Sequence, residues 1–111
     1  MGKFVALYMG APGGGTRADL TEEDIARGMA AWGGWMQANA ARIVDAGGPL
    51  GKTKKTSAEG VADTRNHVTG YVVVEADSHE AAARLFEGHP HFSIFPGDSV
   101  EIMELMPIPT A

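Results

Sequence analysis

The sequence contains no cysteine and no excess of positive charge. The missing cysteine excludes disulfides, thiolate zinc sites, iron–sulfur clusters and a cysteine nucleophile. Nine Lys and Arg against fourteen Asp and Glu give a net charge of −5. This charge argues against a nucleic-acid or anionic-membrane partner, since both need a basic surface. No apolar run approaches the roughly 18 residues of a membrane span, so a cytoplasmic protein is expected.

What is present is the composition of one globular domain. The chain has 111 residues, of which 44% are hydrophobic and 21% are charged. A chain of this length buries roughly two-thirds of the surface that its unfolded form exposes, which supports one core. We therefore expect a single domain over residues 1–111.

Hydrophobic patterning predicts four strands and two helices. The first helix is expected to begin at Thr21, whose hydroxyl can accept from the Asp24 amide, and to run for about 24 residues along one apolar stripe. A shorter helix is expected after Ser78. The strands are predicted at Phe4–Met9, Leu50–Ala58, Val68–Ala76 and Ser99–Met106. The order β-α-β-β-α-β predicts a ferredoxin-like α+β fold, an antiparallel four-stranded sheet with both helices on one face.

The segment between the first helix and the third strand is polar. Its lysines, Lys52, Lys54 and Lys55, either form a charged sheet edge that discourages aggregation or bind phosphate. Glu59 to Asn66 is predicted to be a loop because it is polar and interrupted by Gly60.

Both faces of the predicted sheet are apolar. In the first strand Phe4, Ala6 and Tyr8 point to one side, and Val5, Leu7 and Met9 point to the other. Two helices can cover only one face. If the other face were exposed, its apolar patch would be larger than the few hundred Å² that a monomer usually tolerates. Burial of about 400 Å² of this apolar surface on each subunit would favour association by about 10 kcal/mol per monomer, before the free-energy cost of association is subtracted. The sequence therefore predicts a two-fold homodimer in which the sheets face each other.

The least ordinary local sequence is Trp32-Gly33-Gly34-Trp35. Two glycines inside a helix cost about 2 kcal/mol relative to alanine. They therefore suggest either a closely packed neighbour or clearance for a ligand beside the indoles. Trp32 continues the apolar stripe and is expected to pack in the core, or to line a ligand pocket. Trp35 and Asn39 are the other candidates for the wall of such a pocket.

His89-Pro90-His91 places two imidazoles two residues apart in a segment predicted to be extended. Either His89 or His91 is a candidate general base near neutral pH. The alternative is a helix end at which His89 bonds free carbonyls and His91 is solvated. A metal site needs three or four ligands, and the available carboxylates show no ligand spacing, so none is predicted. Those carboxylates are Asp45, Glu87 and Asp98.

Other catalytic and cofactor motifs are missing. No Gly-x-Ser-x-Gly elbow is present, which leaves nucleophilic hydrolysis without support. Gly10 to Gly15 lacks the Gly-Lys-Ser/Thr ending of a phosphate-binding loop, and no dinucleotide fingerprint occurs. No cofactor is therefore expected.

From Gly47 onward the chain resembles the YCII-related family, which includes the DGPF-domain proteins. The segments that carry the resemblance are Gly47 to Gly51, Gly70 to Ala82, Gly88 to His91, and Val100 to Ile102 followed by Met106-Pro107. The resemblance implies the ferredoxin-like fold and a dimeric α/β barrel. The activity of the family is largely undetermined, and its fold is similar to that of small oxygenases and lactone isomerases.

Two departures prevent a transfer of catalytic residues from that family. One branch is associated with a His on the first helix that acts with an Asp, and residues 21–46 contain no His. The other branch has an Asp-Gly-Pro-Phe signature, where this chain has Asp63-Thr64-Arg65-Asn66.

Two functions remain open at this point. The first is a homodimeric α/β-barrel protein that binds a small organic molecule, and that, if catalytic, performs cofactor-free proton transfer or isomerisation. The alternative is a non-catalytic regulatory or protein-interaction module, in which the loops and the tail from Met106 to Pro109 dock against another protein.

Overall fold

The two most apolar strands lie at the centre of the fold. In the computed structural model, which describes residues 1–12 and 20–109, they are β1 (Gly2–Gly10) and β5 (Val68–Ala76). The other elements are α1 (Glu22–Ala38), a 3-10 turn (Ala40–Arg42), β2 (Ile43–Pro49), β3 (Thr53–Ser57), β4 (Gly60–Thr64), α2 (His79–Arg84), α3 (Pro90–Ser93) and β6 (Gly97–Glu104). Most of the first glycine cluster, residues 13–15, lies outside the described residues.

Four strands form one antiparallel sheet in the order β2-β5-β1-β6, and β3 and β4 form a separate two-stranded sheet. The main sheet with its helices has the predicted ferredoxin-like α+β architecture. None of the helices in the described part of the chain is long and apolar enough to cross a bilayer.

The hydrophobic core lies between one face of the sheet and the helices. Burial alternates along β1 and β5 because successive side chains point to opposite faces of a strand. The buried apolar side chains are Phe4, Ala6, Tyr8, Val72, Val74, Ala76, Ala82 and Phe86. Trp32 and Trp35 pack against this cluster from α1.

The first helix begins where the sequence predicts and ends earlier. The Thr21 hydroxyl accepts from the Asp24 amide at 3.0 Å, and the Asp24 carboxylate accepts from the Thr21 amide at 3.4 Å. The helix stops at Ala38 because the side-chain amide of Asn39 donates to the Trp35 carbonyl at 2.9 Å. Ile43 then pairs with Val74 of the central strand. The pairing with β5 therefore takes Ile43 out of the predicted helical stripe.

The predicted second strand is wrong, because Leu50–Ala58 does not join the main sheet. The strand beside β5 is Ile43–Pro49, and residues 53–57 instead form one arm of the β3–β4 hairpin. The predicted loop from Glu59 to Asn66 supplies the other arm, since Gly60 adopts the left-handed φ of +105° that closes the turn.

The second face of the main sheet carries apolar side chains and is not covered by any helix in the described part of the chain. Val5 of β1 pairs with Val73 of β5 and with Met103 of β6, so these three side chains share that face. Leu7 pairs with Tyr71 one step further along. Met103 is 44% exposed.

The two mid-helix glycines have no close neighbour. Gly33 and Gly34 lie on the exposed side of α1, and a Cβ built on either would meet no atom within 4 Å. The expectation of a packed neighbour beside them is therefore wrong for this chain. At Gly28, in contrast, an added Cβ would lie 2.5 Å from the Phe95 ring.

This difference predicts opposite effects for two alanine substitutions in one helix. Gly33→Ala should raise the free energy of unfolding by about 0.5–1 kcal/mol, because alanine loses less backbone entropy in a helix than glycine. Gly28→Ala should lower it, because the new methyl group displaces Phe95. Urea denaturation measures both, and a destabilised Gly33→Ala would show that this side of α1 is covered.

Candidate functional site

A cavity of about 540 Å³ lies between α1, one end of the main sheet and the segment that joins α3 to β6. This volume is within the range of about 300–1,000 Å³ that is typical of small-molecule sites. Five rings contribute to its wall: Tyr8, Trp32, Tyr71, His91 and Phe95. No Asp, Glu, Lys or Arg is among the described residues that line it.

An irregularity in β2 opens space for the cavity. The pairing of β2 with β5 shifts register between Asp45 and Gly48, and Gly47 adopts a φ of +62°. A side chain on Gly47 would collide with the backbone carbonyl of Tyr71. Gly48 and Gly70 then line the cavity without side chains of their own. Gly47 therefore permits the close approach of β2 to β5, and Gly48 and Gly70 leave space for the cavity.

His89 lies directly behind the cavity and is fully buried. It caps α3, because its Nδ1 accepts from the backbone N–H of His91 at 3.0 Å. In the neutral imidazole the proton must therefore be on Nε2, which lies 3.4 Å from the Tyr8 hydroxyl oxygen and donates to it. Burial lowers the pKa of His89 to about 4, and the nearby His91 contributes in the same direction. His89 is thus neutral at physiological pH.

Tyr8 presents a neutral hydroxyl to the cavity. Burial raises the pKa of its phenol above the ordinary value of about 10. Since the Tyr8 oxygen accepts from His89, its own proton remains available to a different acceptor. Tyr8 therefore lines the cavity with a hydroxyl proton that its bond to His89 leaves free.

His91 presents the complementary group. Its Nε2 donates to the backbone carbonyl of Met9 at 2.8 Å, so Nδ1 of the neutral ring carries a free lone pair. Nδ1 has no hydrogen-bond partner in the described part of the chain. The rings of Tyr8 and His91 lie 5.2 Å apart, measured between centroids. Gly97 permits this position, because a side chain there would overlap the His91 ring.

The predicted pocket residues occupy different positions. Trp32 lines the cavity, with its ring centroid 4.9 Å from that of Tyr8 and 4.6 Å from that of His89. Trp35 lies outside the lining, where its indole N–H donates to the Leu85 carbonyl at 2.9 Å. Asn39 also lies outside the lining and caps α1. Of the three predicted pocket residues only Trp32 lines the cavity, and Met29, one turn earlier on α1, lines it as well.

The predicted extended conformation of His89-Pro90-His91 is wrong, because Pro90–Ser93 forms a short helix. Proline favours the first position of a helix, and His89 supplies the cap in front of it. The two imidazoles consequently do not project to one side of a strand. His91 reaches the cavity, and His89 is enclosed between Trp32 and Trp35, at 4.6 and 4.8 Å between ring centroids.

The carboxylates considered for a metal site do not join the histidines. Asp45 accepts from the Tyr71 hydroxyl at 3.2 Å, and Glu87 pairs with Arg84 on the surface. Among residues 1–12 and 20–109, no three His, Asp or Glu side chains are grouped as metal ligands.

Sequence reasoning missed three of the five rings in the wall, Tyr8, Tyr71 and Phe95. The alternation in the first strand places Tyr8 only on the same side as Phe4 and Ala6 and does not indicate a cavity. The hydroxyl of Tyr8 is the feature of the sequence that could have indicated a polar site, because a buried tyrosine oxygen requires a polar partner.

The comparisons with known proteins give a family match over part of the chain and similarity to solved structures. Residues 62–108 match the family model Spt5-NGN, described as an early transcription elongation factor of RNA polymerase II, NGN section. The chain is also similar in structure to the 5-chloro-2-hydroxyhydroquinone dehydrochlorinase of Burkholderia phenoliruptrix, solved in complex with 2,5-dihydroxybenzoquinone. The TM-score is 0.57 at 17% sequence identity, and the match covers 94% of this chain and 93% of the dehydrochlorinase chain. No curated protein matches the chain in sequence.

The predicted membership of the YCII-related family is wrong, because the family model that matches is Spt5-NGN. The resemblance was carried by glycine turns, an apolar strand and a capped helix, which ferredoxin-like domains need whatever their family. The Spt5-NGN match spans less than half of the chain, and the similarity to the dehydrochlorinase shows a shared fold.

The buried imidazole predicts a specific loss of stability in acid. The unfolded chain protonates His89 near its ordinary pKa of 6.5, whereas the folded chain does so near 4. The group therefore leaves the free energy of unfolding unchanged above pH 6.5 and lowers it between pH 6.5 and 4, by roughly 2–3 kcal/mol. The free energy of unfolding, measured by denaturation at pH 7.5 and at pH 4.5, should change less between the two pH values in His89→Gln than in the wild type. His67→Gln, in an exposed turn, is the control, and an unchanged difference in His89→Gln would contradict the assignment.

Proposed function

We propose that this protein binds a small planar ring compound with oxygen substituents, such as a phenol or a quinone, in the cavity beside Tyr8 and His91. The observation that carries the proposal is that Tyr8, with a free hydroxyl proton, and His91, with one ring nitrogen free of hydrogen bonds, line the same cavity, whose walls are aromatic. The ring contacts offered by Trp32 and Phe95 favour a flat ligand. A protein of the same fold is solved with 2,5-dihydroxybenzoquinone, which supports this ligand class.

The lining also limits the charge of the ligand. Burial of a carboxylate or an ammonium group is costly unless an opposite charge compensates it. The described lining residues carry no such charge, and their polar groups are neutral hydroxyls, backbone groups and an imidazole. An uncharged or weakly acidic ring is therefore preferred.

The chemistry that fits these groups is proton transfer without a cofactor. His91 Nδ1 takes a proton from a saturated ring carbon next to a carbonyl group, as in the keto form of a phenol. The electron pair of that C–H bond forms a carbon–carbon double bond, and the π pair of the carbonyl moves onto its oxygen. The Tyr8 hydroxyl donates to that oxygen and stabilises the developing charge. Return of the proton to another carbon of the ring completes an isomerisation.

His89 is a positioning residue in this scheme. Its pKa near 4 makes it too weak a base for a reaction at neutral pH, although the sequence left it open as a candidate. Its Nε2–H instead holds the Tyr8 oxygen, which directs the Tyr8 proton away from the core. The general base is therefore assigned to His91.

Binding of resorcinol, an uncharged ring with two hydroxyls, tests the ligand class. It should quench tryptophan fluorescence, and Trp32→Phe should abolish most of the quenching, since Trp32 lines the cavity. Tyr8→Phe should weaken binding about tenfold, the value of one hydrogen bond of about 1.4 kcal/mol.

Two controls accompany this measurement. Trp35→Phe should keep the quenching because Trp35 lies outside the cavity, and benzoate should bind more weakly than resorcinol. Equal quenching in Trp32→Phe and the wild type, or no binding at millimolar resorcinol, would refute the proposed site.

We also propose a homodimer through the second face of the main sheet. Val5, Leu7 and Val73 lie at the centre of that face, and Met103 is 44% exposed beside them. A face of this kind is typical of subunit interfaces, and a two-fold dimer would cover both copies at once.

Leu7→Asp should convert the dimer into a monomer, because a buried carboxylate at the centre of the interface has no compensating charge. Sedimentation velocity at micromolar concentration measures the change, and Ala26→Asp, at an exposed position of α1 outside the cavity lining, is the control. A wild-type chain that sediments as a monomer would exclude the homodimer.

The Spt5-NGN match gives a second candidate function, a protein-interaction module. The matched residues include the tail after β6, where Met106 and Ile108 are 65% and 89% exposed. Under this alternative the tail docks against another protein, and the net charge of −5 favours a protein partner over a nucleic acid. Removal of residues 106–111 distinguishes the two proposed functions. It removes the tail that would dock against another protein, and it leaves the residues that line the small-molecule cavity intact.

A further inference from the structure

The β3–β4 hairpin extends away from the rest of the protein. Neither strand packs substantially against another described helix or strand. The chain measures 53 Å along its longest axis, and its radius of gyration is 15.7 Å. A compact domain of this length would have a radius of gyration of about 13 Å. The hairpin is therefore an arm and not a part of the core.

An arm of this kind needs a partner surface. An isolated two-stranded hairpin is at best marginally stable in water. Eight of its ten strand residues are exposed, among them Val61 at 68%. Within the arm, one exposed ion pair, Lys54 with Asp63, joins the strands, and such pairs contribute little.

The arm leaves the main sheet and returns to it at one point. The Leu50 amide donates to the Thr69 carbonyl at 3.0 Å, which joins the two ends of the excursion. Both residues lie at the end of the sheet where β2 ends and β5 begins. The arm is consequently attached to the sheet at this end.

The charge of the arm is opposite to that of the remaining chain. Residues 50–66 contain four basic and two acidic side chains, a formal charge of +2, whereas the whole chain carries −5. Lys52, Lys55 and Arg65 have no carboxylate partner in the part of the chain that the structure describes. Three unpaired cations thus lie on one projecting element.

Acidic residues gather at the opposite end of the sheet. There β5 and β6 end and α2 begins, which brings together Glu75, Asp77, Glu80 and Glu104. Glu80 pairs with Arg84 and Glu75 lies opposite Lys3 of β1, so Asp77 and Glu104 are the two of these four acids that remain for a partner. β5 has nine residues, so this acidic end lies about 30 Å from the start of the arm. The arm therefore cannot reach it within the same chain.

We propose that the β3–β4 hairpin is a clasp that docks on the acidic end of the sheet in a second copy of this chain. When two sheets stack about a two-fold axis perpendicular to their strands, the end with the arm in one copy lies over the acidic end of the other. Lys52 and Lys55 then face Asp77 and Glu104 of the second copy. This inference rests on the homodimer proposed above.

Cross-linking tests the contact directly, because the chain has no cysteine of its own. The double variant Lys55→Cys/Asp77→Cys should form a disulfide-linked dimer on mild oxidation. Lys55→Cys alone and Lys55→Cys/Asp98→Cys are the matched controls, since Asp98 lies at the end of the sheet that carries the arm, and both should remain unlinked. Circular dichroism confirms that each variant is folded.

Charge reversal gives an independent measurement. Lys52→Glu/Lys55→Glu should raise the dimer dissociation constant about tenfold in sedimentation velocity, and adding Asp77→Lys/Glu104→Lys should restore it. Arg27→Glu, on the exposed side of α1, is the control for a reversed charge away from both proposed contact surfaces.

The outcomes separate the clasp from the homodimer. A dimeric wild type that shows neither the cross-link between positions 55 and 77 nor weakening on charge reversal overturns the clasp and leaves the homodimer. A monomeric wild type overturns both.

Discussion

The arrangement of the candidate site depends on the buried imidazole of His89. One ring nitrogen caps α3 by accepting from the His91 amide, and the other donates to the Tyr8 hydroxyl. These two bonds require a single proton at a defined position, so the ring must be neutral. Burial between Trp32 and Trp35 enforces that state by lowering the pKa to about 4. A protonated His89 would lose its cap to α3.

The orientation of the cavity groups follows from this constraint. With the His89 proton directed at Tyr8, the phenol proton is free to point into the cavity. The cap places His91 in the first turn of α3, where its Nε2 donates to the Met9 carbonyl and its second nitrogen has no hydrogen-bond partner in the described part of the chain. One buried side chain thus sets both a donor and an acceptor at the wall of the same cavity.

Other features of the fold make room for these groups. The register shift in β2 and the bare backbone of Gly48 and Gly70 leave space at the end of the sheet. Gly97 leaves room for the His91 ring. The β3–β4 hairpin is attached at the same end of the sheet. The irregular end of β2 therefore lies beside the cavity and also leads into the arm. The opposite end has a register shift of its own, between Ile43 and Asp45, and carries Asp77 and Glu104.

Much of the fold was predictable because its signals are local. The apolar runs around Phe4 and Val72, the cap at Thr21 and the cap at Ser78 each specify an element through neighbouring residues. The boundary between α1 and β2 was not predictable in this way. Ile43 fits the helical stripe, and only its pairing with Val74 makes it part of a strand.

The sequence by itself determined the order of the elements, the two-sided apolar sheet and the chemical nature of the rings. The tertiary structure decided which rings share a cavity, because residues about eighty positions apart, Tyr8 and His89, meet only after the sheet and α3 pack together. It also decided that His91 and not His89 faces the cavity, since the turn that separates them is set by packing on β1. Protonation states depend on burial, and burial is a property of the folded chain.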